Sequence, residues 1–134
     1  MKHLLYMLST VAVLCACSGV SREWLAATEA QKYYEYLAAG DAVRFLEGKA
    51  GSSQLPAAYG EQLLKAIEQY QEEIKQKHGG ILSVRISDNS VNPDDTTHAD
   101  SLVNAFLILC YADSTQEEIL VPMVQVSEGE WRMK

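Results

Sequence analysis

The apolar residues of this chain change their repeat once, at Gly79-Gly80, and that change restricts the folds open to it. Ahead of the two glycines, Tyr59, Leu63, Ala66, Ile67, Tyr70 and Ile74 recur at three- and four-residue spacing, the pattern of a helix with one buried face. Pro56 suits the first turn of such a helix, because its fixed φ is already helical and its missing N–H would have no partner there. Glu61–Lys65 and Glu73–Lys77 add i,i+4 pairs in the better orientation, at ~0.2–0.5 kcal/mol each. Beyond Gly80 the repeat falls to two. Leu82, Val84 and Ile86 alternate with Ser83, Arg85 and Ser87, as in a strand with one wet face.

The strand pattern continues to the end of the sequence. Asn92-Pro-Asp-Asp95 reads as a turn. A long strand from about Thr97 to Tyr111 is apolar on both faces from Ala105 onward, so it is expected to be central and covered on both sides. A turn at Ala112-Asp-Ser-Thr115 leads to a strand from Glu117 to Val126, where Pro122 implies a bulge or a sheet edge. After Ser127-Glu-Gly129, Trp131 and Met133 point the same way in a short last strand. Upstream, Ser21 is placed to cap a helix whose buried face is Ala26, Ala27, Ala30, Tyr33/Tyr34 and Leu37. Gly40 stops that helix, and Asp41 caps a shorter one through Val43, Phe45 and Leu46 that Gly48 closes. Helices first and strands after predict a single α+β domain over residues 22–134: N-terminal helices packed on one face of a curved antiparallel sheet of about four strands.

Residues 1–21 read as an address. Lys2 is followed by an uncharged, mostly apolar run from Leu4 to Leu14. That is too short for the ~20 residues of a membrane-spanning helix and suits a signal-peptide core. Leu14-Cys15-Ala16-Cys17 resembles the bacterial lipobox, and only cleavage before Cys17 leaves a small residue, Ala16, ahead of the cut. The expectation is a lipoprotein signal peptide over 1–16, lipidation at Cys17 and a tether over 17–21. With Ser18 rather than Asp after that cysteine, resemblance to sorting in enteric bacteria favours the outer membrane, with the periplasmic or surface face left open. The acyl chains are then the contact with the membrane.

Composition supports the same placement. The formal net charge is −7, with 18 acidic residues against 11 Lys and Arg. Such a chain is a poor ligand for nucleic acid and is repelled by anionic headgroups, so no nucleic-acid partner is expected. Cys110, within Ala105-Phe-Leu-Ile-Leu-Cys-Tyr111, is expected to be a buried, inert thiol.

Two segments carry a family resemblance. Ala30-Gln-Lys-Tyr-Tyr34 through Leu37-Ala-Ala-Gly-Asp41, and Glu117-Glu-Ile-Leu-Val-Pro-Met-Val124 through Glu128-Gly-Glu-Trp131, resemble the opening and closing motifs of small bacterial lipoproteins in the domain of unknown function 4878 family. The resemblance implies membership of the nuclear-transport-factor-2-like (cystatin-like) superfamily, in which a curved sheet wraps helices into a cone with a mouth at one end. It implies no chemistry, since that family has none assigned. Enzymes of the wider superfamily place an Asp with a Tyr or His inside the cone, which makes His98, Asp100 and Tyr34 (or Tyr33) the catalytic candidates. The competing reading is that His98 and Asp100 cap a solvated strand end. Asp94, Asp95, His98 and Asp100 lack the spacing of a calcium loop, and no metal or cofactor is expected. His78, ahead of two glycines, suits a helix C-terminus, where a cationic imidazole complements the dipole. Tyr33, Tyr34, Tyr36, Tyr59 and Tyr70 either line a pocket for an amphipathic ligand or fill the core. An exposed docking patch, if the domain has one, is expected on the sheet around Val121, Met123 and Trp131. The reading that results is a membrane-anchored envelope lipoprotein that binds a small ligand or a protein partner without catalysis. An acid/base enzyme and a structural accessory subunit are the alternatives.

Overall fold

The computed structural model describes residues 21–90 and 101–134. Helix α1 (Arg22–Ala38) is capped by Ser21, whose side chain accepts from Trp24 N–H at 3.2 Å. Helix α2 (Ala42–Glu47) is capped by Asp41, whose carboxylate accepts from Arg44 N–H at 3.1 Å. After a 3-10 turn at Ser52–Gln54, α3 runs over Ala57–His78. It ends at Gly79, held in the left-handed region at φ 80° with its N–H on Lys75 C=O. Only a residue without Cβ adopts that conformation cheaply, which is why the repeat breaks there.

Strands β1 (Ile81–Ile86), β2 (Leu102–Tyr111), β3 (Gln116–Ser127) and β4 (Glu130–Met133) form one antiparallel sheet in the order β1-β2-β3-β4. The helices-then-sheet α+β architecture is the expected one. Burial along β2 alternates strictly: Val103, Ala105, Leu107, Leu109 and Tyr111 are buried, while their neighbours are half-exposed. The buried face of α1, namely Ala26, Ala27, Ala30, Tyr33 and Leu37, matches the sequence pattern, and all but Leu37 join the inner row of the sheet in the core. Trp131, Leu107, Leu109 and Met123 are the largest wholly buried side chains.

Several local expectations are corrected. β2 is central, but its outer residues Phe106, Ile108 and Cys110 stay half-exposed, so apolar character on both faces does not mean cover on both sides. Leu82 does not join Val84 in the core. A bulge between Ile81 and Ser83 makes it an extra residue, and it is 72% exposed. Pro122 sits at no bulge and pairs in regular register with Asn104 of β2, but on its other side pairing with β4 begins only at Met123, so it lies at a local edge of the sheet, as expected. Its C=O accepts from Lys134 N–H at 2.9 Å, just beyond the last residue of β4, so the missing N–H faces the end of that strand and costs no ladder bond. The pairs Glu61–Lys65 and Glu73–Lys77 do not close, in keeping with the small net worth of solvent-exposed ions.

The largest correction concerns α3. Its apolar stripe was expected to be buried, yet only Ile74 is. Leu63 and Ile67 are half-buried, Ala66 is exposed, and Tyr59 and Tyr70 remain 47% and 39% exposed. Repeat length fixes which face turns inward but not how much protein stands opposite.

The free edge of β4 is closed by the segment after α2. Met133 N–H donates to Gly48 C=O and Ala50 N–H to Met133 C=O, both at 2.7 Å. This parallel bridge pairs Lys49 with Met133 and draws Gly48 beneath the Tyr33 ring. A Cβ on Gly48 would overlap the Cγ and Cδ atoms of that ring, near its stiff base, where yielding is not cheap. Gly48→Ala should therefore destabilise the domain by about 1–3 kcal/mol, as overpacking does. The urea midpoint checks this, and an unchanged midpoint would show that Tyr33 moves aside freely.

Candidate functional site

Because α3 stands off the sheet, a cavity of about 250 Å³ remains beneath it. α1 contributes Tyr34, α2 contributes Phe45 and Leu46, and α3 contributes Leu63 and Ile67. The sheet side is Leu120, Val121 and Pro122 of β3 with Met133 of β4. The remaining lining residues are Lys49 and Lys134. The wall is thus mainly apolar, with a few polar groups, the make-up of a small-molecule site.

Tyr34 is a half-buried polar group in this wall. Its ring stands edge-on to Phe45, centroids 5.1 Å apart and planes at 86°, which fixes its orientation. Burial, aided by Tyr70 nearby, pushes its phenol up to about 12, so it stays protonated and can donate. The hydroxyl makes no hydrogen bond among the described residues. A donor without a protein partner, bordering an apolar space, is what an acceptor on a ligand would meet.

The other sequence-selected residues are placed as follows. Tyr33 is in the core, against Gly48. Tyr70 sits on α3 with its phenol raised by partial burial and then by Glu117. Val121, Met123 and Trp131 are buried, so the expected exposed patch around them does not exist; their side chains face the helices. Cys110 is not buried: it lies half-exposed on the outer face of β2, its thiol lowered by hydrogen bonding to Ser83 and then Arg85. Cys17, Asp94, Asp95, His98 and Asp100 lie outside the described residues. Among the described residues no cluster of three or more His, Cys, Asp or Glu could hold a metal ion, and no helix is long and apolar enough to cross a membrane.

Sequence reading missed Phe45, Leu46, Lys49 and Lys134 as lining residues. Phe45 and Leu46 appeared only as core positions of a short helix. Lys49 carries no local signal, since its place depends on a bridge to a strand near the other end of the chain.

A polar clasp closes the far end of α3. His78 Nδ1 and Asp113 Oδ2 are 2.7 Å apart, and the imidazole stacks on Tyr111 with centroids 4.0 Å apart. Thr115 donates to the second oxygen of Asp113 through its hydroxyl and through its N–H, the latter at 3.0 Å. His78 therefore ties the helix to the β2–β3 turn, beyond the dipole role its position suggested. Hydrogen bonds from Thr115, then from His78, hold Asp113 down at about 2, below the ordinary 3.8. The unfolded chain takes up that proton first, so the contribution is complete above about pH 4 and is lost as pH falls through about 2. Asp113→Asn should flatten the acid limb of a plot of urea midpoint against pH in that window. An unchanged limb would mean that the clasp carries no linkage.

No protein-family model matches the chain, and no curated protein matches it. Among solved structures, it is similar to a crystal structure from Campylobacter jejuni described, provisionally, as an NTF2-like transpeptidase. The match has a TM-score of 0.56 at 10% identity and covers 78% of this chain and 92% of that one. At that identity the likeness speaks for the fold alone. Helices followed by a curled, four-stranded antiparallel sheet are the NTF2-like arrangement, and this chain has that fold.

Proposed function

We propose that this chain is a lipid-anchored bacterial envelope protein whose NTF2-like domain binds a small, mainly apolar ligand without transforming it. The observation that carries the binding half is the cavity beneath α3. Leu63 and Ile67 of the stripe border open space, not a packed core, and Val121 and Met133 face it from the sheet. Leaving such surface unfilled forgoes roughly 25 cal/mol for each Å² that packing would bury, which favours a wall kept for a ligand.

The non-catalytic reading rests on the lining. Its titratable side chains are Tyr34, Lys49 and Lys134, and a phenol held protonated is no general base near neutral pH. The position of Tyr34 on the cavity wall is the observation that would favour an enzyme, with His98 or Asp100 as its partner. The anchor half of the proposal rests on Leu14-Cys15-Ala16-Cys17, and the resemblance to the domain of unknown function 4878 lipoproteins belongs with it. Ser18 points this reading to the outer membrane.

Two measurements test the proposal. Native mass spectrometry of the full-length protein carrying Cys17→Ala should detect a retained small-molecule adduct. Leu63→Trp, at a half-buried position that tolerates a larger ring, should abolish that adduct while leaving the thermal melt intact. A wild-type cavity that is always empty would overturn the binding half. In the native bacterium, Cys17→Ala should move the protein from the membrane to the soluble fraction; continued membrane association would overturn the anchor.

A further inference from the structure

The charge on the cavity wall runs against the charge of the chain. Acidic residues outnumber Lys and Arg 18 to 11 overall, yet the wall holds Lys49 and Lys134 and no Asp or Glu. The two lysines are neighbours by construction. The bridge that closes β4 pairs Lys49 with Met133, and Lys134 follows directly. Neither lysine has an ion-pair partner among the described residues.

The Tyr34 hydroxyl adds an unpartnered donor to the same wall. Two cations and a hydroxyl, with no acidic side chain among them, favour an anionic head. The rest of the lining is the aromatic or aliphatic surface of Phe45, Leu46, Leu63, Ile67, Val121 and Met133, which selects an apolar tail. Volume limits the tail. At ~30 Å³ for each water-sized unit, 250 Å³ holds roughly eight non-hydrogen atoms.

Resting on the binding reading above, we propose that the ligand is a small amphiphile with an anionic headgroup, its short apolar tail beneath α3 and its head held by Lys49, Lys134 and the Tyr34 hydroxyl. The tail supplies the burial and the head supplies the selectivity. Because Lys134 is exposed and Lys49 only half-buried, their preference for an anion should weaken as salt is added.

Isothermal titration with three chain-matched probes tests this: octanoate, octan-1-ol and octylammonium, each added to the full-length protein carrying Cys17→Ala so that no attached acyl chain competes. Octanoate should bind about tenfold more tightly than the alcohol at low salt, from two cation contacts and a hydrogen bond. Octylammonium should bind more weakly than the alcohol. Lys49→Gln should bring octanoate and octan-1-ol to within about twofold of each other, and Leu63→Trp should abolish binding of all the probes. If the alcohol binds as well as octanoate, or if Lys49→Gln leaves the preference intact, the anion inference is overturned while the cavity reading stands. Octanoate binding that survives Leu63→Trp would place the anion outside the cavity and also overturn it. If no probe binds, the binding reading falls, and this inference falls with it.

Discussion

The alanine face of α1 sets the spacing on which the rest of the domain depends. Ala26, Ala27 and Ala30 carry nothing beyond Cβ, so the helix backbone lies close over the inner row of β1 and β2, where Val84, Leu107 and Leu109 are buried with it. Burying a leucine is worth about 1.5–3 kcal/mol. The exposed ion pairs, such as Lys32–Glu29 at 2.8 Å, are worth under about 1 kcal/mol each. Cohesion therefore lies in this layer. Two polar ties orient it: Gln31 donates to the Val84 C=O of β1 at 2.9 Å, and Gln71 donates to the Leu37 C=O at the end of α1 at 3.1 Å.

The same arrangement leaves α3 with little to pack on. Its C-terminal half is fixed by buried Ile74, by Gln71 and by the His78–Asp113 clasp, whereas its first half contributes Leu63 and Ile67 to the cavity wall and no buried residue. A helix with few buried apolar contacts along one half has low local stability there. On the binding reading proposed above, that half is the one that admits the ligand. Architecture, local stability and the binding reading thus share a cause, a long helix laid over a sheet whose inner surface α1 already covers in part.

How much of this could be read in advance depended on range. Ser21 and Asp41 were legible as caps, and Gly79 as a stop, because each acts on a backbone a few residues away. The inner face of α1 and the alternation of β2 were legible because side-chain direction follows from repeat length. The exposure of Leu82 was not, since a bulge reverses the alternation without marking the sequence. Met123 and Trp131 were expected in an exposed patch and are buried, because alternation puts them on one face but whether helices cover that face is a question about other segments. Cys110 followed the same logic in reverse: its apolar neighbours suggested burial, and alternation turned it outward. His78 and Asp113 are separated by 35 positions, and no local pattern announces their contact.

By itself, then, the sequence determined the elements, their order and their apolar faces, because these obey short-range steric and hydrogen-bonding rules. It determined the α+β class as well, since helices that precede an uninterrupted series of strands can only be layered against one face of the sheet they form. Tertiary structure alone decided that α3 stands off the sheet, that Tyr34, Lys49 and Lys134 share one wall, and that this wall is cationic in an acidic protein. Those are properties of distances between segments. They come from how far the alanine face of α1 lets the layers approach and where β4 meets the loop after α2, and no local repeat encodes either.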